Sequence, residues 1–333
     1  SALGEALESA ANRSGDTLIE AVEIRGSVGN LERLRAGDLH FGLAQGGFEF
    51  DDAGLSSVAS IDVEYLHVIV PNDSPIHDLR ALAGKRIATG ARGSGSLAVV
   101  QSIAKAASLQ PPLVLVEREN ANEAFEESEI DAAMFVSSLR RELTPLLQSG
   151  AYRLIPVPQA KALAVDMFDV RIAEIPPGVY GPNLSIPPKA LPTLAVDTNL
   201  FVRTDVPDEI VRRLTEALFT YHVQAAARLP GLSEETAQNE ADLELHPAAR
   251  DFYTRNAPLS ADQFEIAAFG LAALLTLLSA ARWLVHWLRE RRLRVDRRIV
   301  AGILRGIGEA AVRGPHSDDA KLTITNLLLE SQQ

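Results

Sequence analysis

The stretch KRIATGARGSGSLAVV, residues 85–100, reads as a strand that turns through a glycine loop into a helix. The β-prone residues RIAT come first, three glycines follow within six residues, and helix formers continue from about Ser96. Glycines let backbone N–H groups converge, and the start of a helix adds unpaired N–H groups and the positive end of the helix dipole. The stretch therefore predicts an α/β unit whose loop is suited to an anion.

The spacing of the glycines excludes the commonest phosphate-binding loops. Gly90, Gly93 and Gly95 form G-x-x-G-x-G, which differs from the dinucleotide pattern G-x-G-x-x-G, and no Lys-Ser/Thr pair follows as in a triphosphate loop. The hydroxyls of Ser94 and Ser96 and the guanidinium of Arg92 offer donors to a carboxylate. Taken alone, the loop is equally well interpreted as a tight turn in which a serine caps the helix.

The segments around this loop alternate between strand and helix patterns. Strands are predicted at 17–24, 39–45, 64–71, 113–117, 132–136 and 152–157, and helices at 2–13, 96–108, 121–128 and 138–148. Such alternation indicates an α/β architecture with mostly parallel sheets. We expect lobe 1 to comprise residues 1–80 and 191–260 and lobe 2 residues 81–190. Two crossing segments would join the lobes, so that the cleft between them closes on a ligand by a hinge motion.

Four further residues are candidates for the cleft. Ser27 and Asn30 lie in a second strand-to-helix turn, GSVGN, where a capping role is the competing interpretation of Ser27. Gln45 stands at the carboxyl end of a predicted strand, where open α/β sheets expose ligand-binding groups. Tyr180 lies on a proline- and glycine-rich loop, which suits a lid or a stacking residue, although a packed surface tyrosine is as common.

Charge and motif content exclude several functions. Residues 264–333 carry 10 Lys+Arg and 7 Asp+Glu, which is a net charge of +3. The formal net charge of the whole chain is −12, so residues 1–263 carry −15. An acidic body argues against nucleic-acid binding. The sequence has no cysteine, no H-E-x-x-H, no G-x-S-x-G and no histidine–carboxylate cluster at ligand spacing. We therefore expect no catalytic residue, no metal and no cofactor.

A membrane span is predicted at residues 264–287. Residues 266–281, IAAFGLAALLTLLSAA, carry no charge, and seven arginines follow within residues 282–298. A bilayer core requires about 20 apolar residues, and a basic flank marks the cytoplasmic side. We expect a basic cytoplasmic tail at 288–333 and residues 1–260 outside the cytoplasm, behind a cleaved signal segment. A buried helix of a soluble domain is the competing interpretation.

With these segments in order, the chain resembles the solute-binding subunits of TRAP transporters of the TAXI group, within the type II periplasmic binding proteins. The resemblance covers about residues 1–258. It rests on GSVGNLERLRAGDLHFGLAQ, LHVIVPNDSPIHDLRALAGKRIATGARGSGS, IDAAMFV, IPPGVYGPN, TLAVDTNLFVRTDVPDEIVRRLTEALF and LHPAARDFY.

The resemblance implies a two-lobed periplasmic receptor, here followed by one transmembrane helix. Such a receptor binds a small organic anion, a carboxylate or an amino acid, and delivers it to membrane permease subunits. The implied ligand-binding residues are Ser27, Asn30, Gln45, Ser94, Gly95, Ser96 and Tyr180, and the composition of the glycine loop adds Arg92 and Gly93. The bilayer itself is a partner through residues 264–287. A membrane-anchored sensor or scaffold that signals through this helix is the alternative function.

Overall fold

The computed structural model describes residues 2–12, 19–24, 26–118, 120–139, 143–183, 185–229, 231–238, 243–255 and 261–312. The chain divides into two compact units, Ser1–Asn256 and Ala257–Gln333. The first unit is a mixed α/β body, as the alternating pattern predicts. In the second unit, the described residues 261–312 form one long helix.

Within the described residues, the body contains eight strands, ten α-helices and one 3-10 helix, Leu79–Leu82. The strands are β1 (Phe41–Gln45), β2 (Leu55–Pro71), β3 (Arg86–Thr89), β4 (Val114–Glu117), β5 (Ala132–Ser137), β6 (Tyr152–Leu154), β7 (Arg171–Ile175) and β8 (Leu191–Arg203). The helices are α1 (Ala2–Ala11), α2 (Ser27–Ala36), α3 (Gly95–Ala107), α4 (Ala121–Glu126), α5 (Thr144–Gln148), α6 (Ala160–Leu163), α7 (Asp208–Leu218), α8 (Tyr221–Ala227), α9 (Glu234–Ala237) and α10 (Pro247–Thr254).

Two long antiparallel strands, β2 and β8, form the middle of the sheet. The strand order is β1-β8-β2-β5-β3-β4, with β6 paired to β2 and β7 to β8. Among the described strands, β3 alone pairs in parallel, with β4 and β5, so the prediction of mostly parallel strands is wrong. The strand–helix alternation of the sequence does not determine the direction in which distant segments pair, and β2 and β8 are far apart in the chain.

The predicted strand at 17–24 is absent from the part of it that the structure describes, residues 19–24. Side chains of α1 and of Asn12, the residue after it, bind this backbone in place of a neighbouring strand. The Asn12 side chain donates to the Ile19 carbonyl at 2.7 Å and accepts from the Ile19 amide at 3.0 Å. A carboxylate oxygen of Glu8 accepts from the amide of Ala21 at 3.1 Å. An apolar, β-prone sequence becomes a strand only where a ladder partner is available.

Some other elements differ from their predicted bounds. The helix predicted at 138–148 is reduced to α5, which has Pro145 in its first turn, and residues 140–142 lie outside the described chain. Strand β7 was not predicted. The glycine stretch folds as expected, with β3 leading into α3.

The second unit contains α11, Ala261–Val312, a helix of 52 residues. At 1.5 Å per residue it is about 78 Å long. Within it, Ala268–Arg291 is apolar and long enough to cross a membrane, by length and composition alone, and none of this window is buried. The window begins and ends four residues later than the predicted 264–287. The end of the predicted tail, residues 313–333, lies outside the described residues.

Candidate functional site

The starts of α2 and α3 meet beside the end of β1, and a cavity of about 700 Å³ opens there. Six of the nine predicted residues line it: Ser27, Asn30, Gln45, Ser94, Gly95 and Ser96. The volume lies within the range of small-molecule sites in proteins.

Two glycine turns hold the helix starts against each other. Gly26 precedes α2 with φ 79° and ψ 161°, a conformation that essentially only glycine adopts. The amide of Val28 donates to the carbonyl of Gly93 at 3.1 Å, so the first turn of α2 is bonded directly to the loop before α3. Gly93, with φ 81°, therefore positions the loop and is not among the residues that line the cavity.

Ser27 and Asn30 attach α2 to the end of β1. The hydroxyl of Ser27 accepts from the amide of Gln45 at 3.1 Å. The side-chain amide of Asn30 donates to the carbonyl of Leu43 at 2.7 Å. Both side chains therefore have structural partners in addition to their place at the cavity.

The serines at the start of α3 also bond within the protein. Ser94 caps the helix by accepting from the amide of Leu97 at 3.1 Å, which is the capping role that the sequence left open. The hydroxyl of Ser96 accepts from the amide of Val136 at 2.6 Å and donates to the carbonyl of Val136 at 3.3 Å, which ties α3 to β5. The hydroxyls therefore build the walls of the cavity.

The hydrogen-bond donors at the cavity that have no protein partner are backbone amides of the described residues. The first N–H groups of a helix have no partner within the helix. Within the part of the chain that the structure describes, the amides of Ser27, Gly95 and Ser96 donate to no protein acceptor, and all three residues line the cavity. Two helix starts with their dipoles then contribute to one space, an arrangement that favours an anionic group.

The cavity wall includes residues that sequence reasoning missed. Glu64 of β2 accepts from the Gln45 side chain through one carboxylate oxygen and from the Thr198 hydroxyl of β8, at 2.7 Å, through the other. Gln45 also donates to the carbonyl of Val136 at 3.3 Å. The only signal in the sequence was a glutamate at the start of the apolar segment EYLHVIVP.

The cavity lining is acidic. Glu5, Glu20, Glu23 and Glu64 contribute to it, and none of the described lining residues is arginine or lysine. Among the described residues, no group of three or more His, Cys, Asp or Glu side chains could hold a metal ion.

Two predicted residues lie away from this cavity. The Arg92 side chain is 89% exposed and lies 3.8 Å from a carboxylate oxygen of Glu117, because the loop turns it outward toward β4. Tyr180 is 1% exposed, so the structure does not place it as a lid. Its hydroxyl bonds to Nε2 of His67, and its carbonyl accepts from the Gln148 side chain at 2.8 Å.

The buried His67 predicts a dependence of stability on pH. Burial lowers the pKa of His67 from 6.5 to about 4, whereas the unfolded chain binds the proton near 6.5. The unfolded state thus binds more protons between these values, and the free energy of unfolding should fall by about 3 kcal/mol as the pH drops from 6.5 to 4.

Denaturant unfolding at a series of pH values measures this effect. His67→Gln should remove that part of the pH dependence. His222→Gln, at an exposed position of α8, should retain it. Equal slopes in the two variants would contradict the assignment.

An α/β body with a cavity of this size at two helix starts is typical of a protein that binds a small solute. The chain belongs to the NMT1-like family, whose model matches residues 1–255.

Several solved structures are similar to this chain. The malate-bound MatC protein from Rhodopseudomonas palustris is 16% identical, with 76% of this chain and 91% of that chain covered and a TM-score of 0.44. The arginine-, lysine- and histidine-binding protein ArtJ from Geobacillus stearothermophilus is 12% identical, with 70% and 85% covered and a TM-score of 0.42. A substrate-binding protein of an amino acid ABC transporter is 14% identical, with 68% and 84% covered and a TM-score of 0.42.

Proposed function

We propose that the protein is an extracytoplasmic solute receptor of a TRAP-type transport system of the TAXI group. It binds a small organic anion, a carboxylate or an amino acid, and presents it to membrane permease subunits. One observation carries the proposal: three residues at two helix starts line a single cavity, and among the described residues their backbone amides have no protein acceptor. A receptor of this kind needs neither a catalytic group nor a cofactor.

The acidic lining of the cavity restricts the class of solute that can bind there. Its carboxylate group belongs at the starts of α2 and α3, where the amide groups of Ser27, Gly95 and Ser96 can donate. A second carboxylate beside Glu20 or Glu23 would meet charge of the same sign. A monocarboxylate with a neutral or an ammonium-bearing remainder fits this distribution better than a dicarboxylate.

Closure of two lobes is part of the proposal. Residues 1–80 with 191–260 would move against residues 81–190, with β2 and β8 as the connection between them. The contact between Val28 and Gly93 joins the two sides at the cavity. A solute that bonds to both helix starts has a higher affinity for the closed form, and this difference in affinity would drive closure.

The long helix α11 supports a membrane tether. Its window Ala268–Arg291 would cross the inner membrane, with the body in the periplasm and the basic segment in the cytoplasm. Tethering raises the effective concentration of the receptor at the permease.

Solute binding should be measurable as stabilisation of the full chain in detergent. A panel of monocarboxylates, dicarboxylates and amino acids is added, and the free energy of unfolding of the body is followed. A solute at 100 times its dissociation constant should add about 2.7 kcal/mol. The corresponding alcohols, which lack the carboxylate, should add nothing. If no member of the panel stabilises the chain, the proposal is wrong.

A sensor that signals through the membrane is the second candidate, because α11 continues without a break from the apolar window to Val312. Deletion of residues 292–333, which leaves the window Ala268–Arg291 intact, separates the two functions in cells. Solute uptake that persists without this segment, with no loss of a solute-dependent response, supports transport. Normal uptake together with the loss of a solute-dependent response supports sensing.

A further inference from the structure

A groove of about 500 Å³ is lined by α2 and α3, beyond the first turns that line the solute cavity. Each helix contributes four residues spaced i, i+3, i+4 and i+7, which share one face of a helix. On α2 these are Val28, Leu31, Glu32 and Arg35, and α3 has the corresponding set from Ala98 to Lys105. The sets cover two turns, or about 10 Å of helix. Two such helix faces form a groove of the kind that accepts a third helix.

Apolar side chains from two loops complete the groove, and some of them are accessible. These side chains are Phe48, Phe50, Met167 and Phe168. Among the described residues of the body, six large apolar side chains are exposed, and three of them, Val165, Phe168 and Ile172, lie in one short segment before and at the start of β7. Phe168 is 41% exposed and Val165 is 82% exposed. Exposed apolar residues clustered beside a groove are typical of an interaction surface.

The charged side chains of the groove are exposed and mostly acidic. Every residue that lines the groove, together with its neighbours in sequence, belongs to the described chain. Asp51 is paired with Arg35. Three other carboxylates have no ion-pair partner among the described residues: Glu32, Glu49 and Asp166. Lys105 is the one remaining described cation of the lining. A partner that carries Lys or Arg beside its apolar side chains complements this surface.

The two walls of the groove belong to different lobes of the proposed receptor. Helix α2 and the loop with Phe48 lie within residues 1–80, whereas α3 and the loop with Phe168 lie within residues 81–190. Both helices also start at the solute cavity. A movement of one lobe against the other would therefore change the width of the groove. A molecule that contacts both walls has different affinities for the two arrangements of the lobes.

We propose that this groove is the docking surface for a permease subunit and that the docking element is a basic amphipathic helix. Its apolar side chains lie against Phe48 and Phe168, and its Lys or Arg side chains lie beside Glu49 and Asp166. The inference rests on the proposed function, because a receptor that closes on its solute has to present the closed form to the permease. A groove with one wall from each lobe lets the permease distinguish the closed form from the open one.

Uptake by cells in which a variant replaces the unaltered chain tests the docking surface. The labelled solute is the carboxylate that stabilises the purified chain most. The double variant Glu49→Lys/Asp166→Lys should lower uptake at least tenfold, because two cations then face the basic helix. Both positions are exposed and lie outside the solute cavity, so the purified variant should bind the solute normally. The matched control Glu127→Lys/Asp251→Lys makes the same change of charge at exposed positions away from the groove and should support normal uptake.

The apolar part of the surface is tested by Phe168→Ser, which should also lower uptake at least tenfold. Its control is Val114→Ser in β4, where the side chain is 51% exposed and does not line the groove.

Solute binding by the purified chain is measured first, so that two failures remain distinct. If no carboxylate binds to the unaltered chain, the receptor function is wrong and this inference falls with it. Normal uptake by a Glu49→Lys/Asp166→Lys variant that binds solute, or an equal loss in its control, would overturn the docking surface alone. If the unaltered chain sediments as a dimer and Phe168→Ser sediments as a monomer, the groove binds a second copy of the chain, and the permease assignment is overturned.

Discussion

Gly26→Ala should lower the free energy of unfolding of the body by at least about 4 kcal/mol, an effect at the large end for single substitutions. A Cβ atom at this position would lie 2.2 Å from the carbonyl oxygen of Gly93 and 2.8 Å from Cα of Ser94. Both are backbone atoms, so no side-chain rotation relieves the clash. The backbone of Gly26 also has a positive φ of 79°, which alanine adopts only with strain.

The matched control for this substitution is Gly54→Ala. Gly54 has nearly the same φ, 78°, but a Cβ atom there would have no neighbour within 4 Å. Gly54→Ala should therefore lose only the free energy of the backbone strain, about 1 kcal/mol of unfolding free energy. Pulse proteolysis of the full chain in increasing urea measures both variants. Equal losses would mean that the close approach of the two helix starts contributes nothing.

Gly95→Ala should reduce solute binding at least tenfold and should cost less stability than Gly26→Ala, because the atoms that its methyl group meets belong to side chains. A Cβ atom at Gly95 would lie 2.0 Å from Oε1 of Gln45 and 2.6 Å from Oγ of Ser27. Gln45 would have to leave its bonds to Glu64 and Val136, and the methyl group would occupy the space beside the amides. Because φ of Gly95 is not positive, the helix itself accepts alanine.

Gly29→Ala in α2 is the control for the helical effect of the methyl group. Its nearest neighbour would be Cγ2 of Ile24 at 3.6 Å, an ordinary contact. Binding is measured with whichever carboxylate stabilises the unaltered chain most. Gly29→Ala should bind normally. Normal binding by Gly95→Ala would contradict the place of the solute at the start of α3.

Local chemistry made part of the site predictable. Ser27, Asn30 and the glycines around Ser94 belong to strand-to-helix turns, whose composition determines where a helix starts and where its amides are unpaired. The sequence therefore indicated both helix starts, and it identified Gln45 through the end of a strand. Which of these residues contact the solute remains a proposal.

The composition of the loops did not predict where the side chains of Tyr180 and Arg92 would lie. A proline- and glycine-rich loop gives Tyr180 no fixed direction, and the side chain is buried against His67. The position of Arg92 between two glycines did not specify that its side chain would lie beside Glu117. In each case, the packing of a distant segment determines where the side chain lies.

The sequence by itself determined the alternation of strands and helices in the body, the two glycine turns and an apolar segment of membrane-spanning length near the carboxyl end. Those features depend on neighbours within a few residues, so they can be recognised locally. Only the tertiary structure decided that β2 and β8 pair antiparallel, with Val63 opposite Asp197 and Asp62 opposite Thr198. That register places Glu64 and Thr198 at the cavity and their neighbours Tyr65 and Asp197 on the opposite face of the sheet, because a shift of one residue would exchange the faces of every side chain.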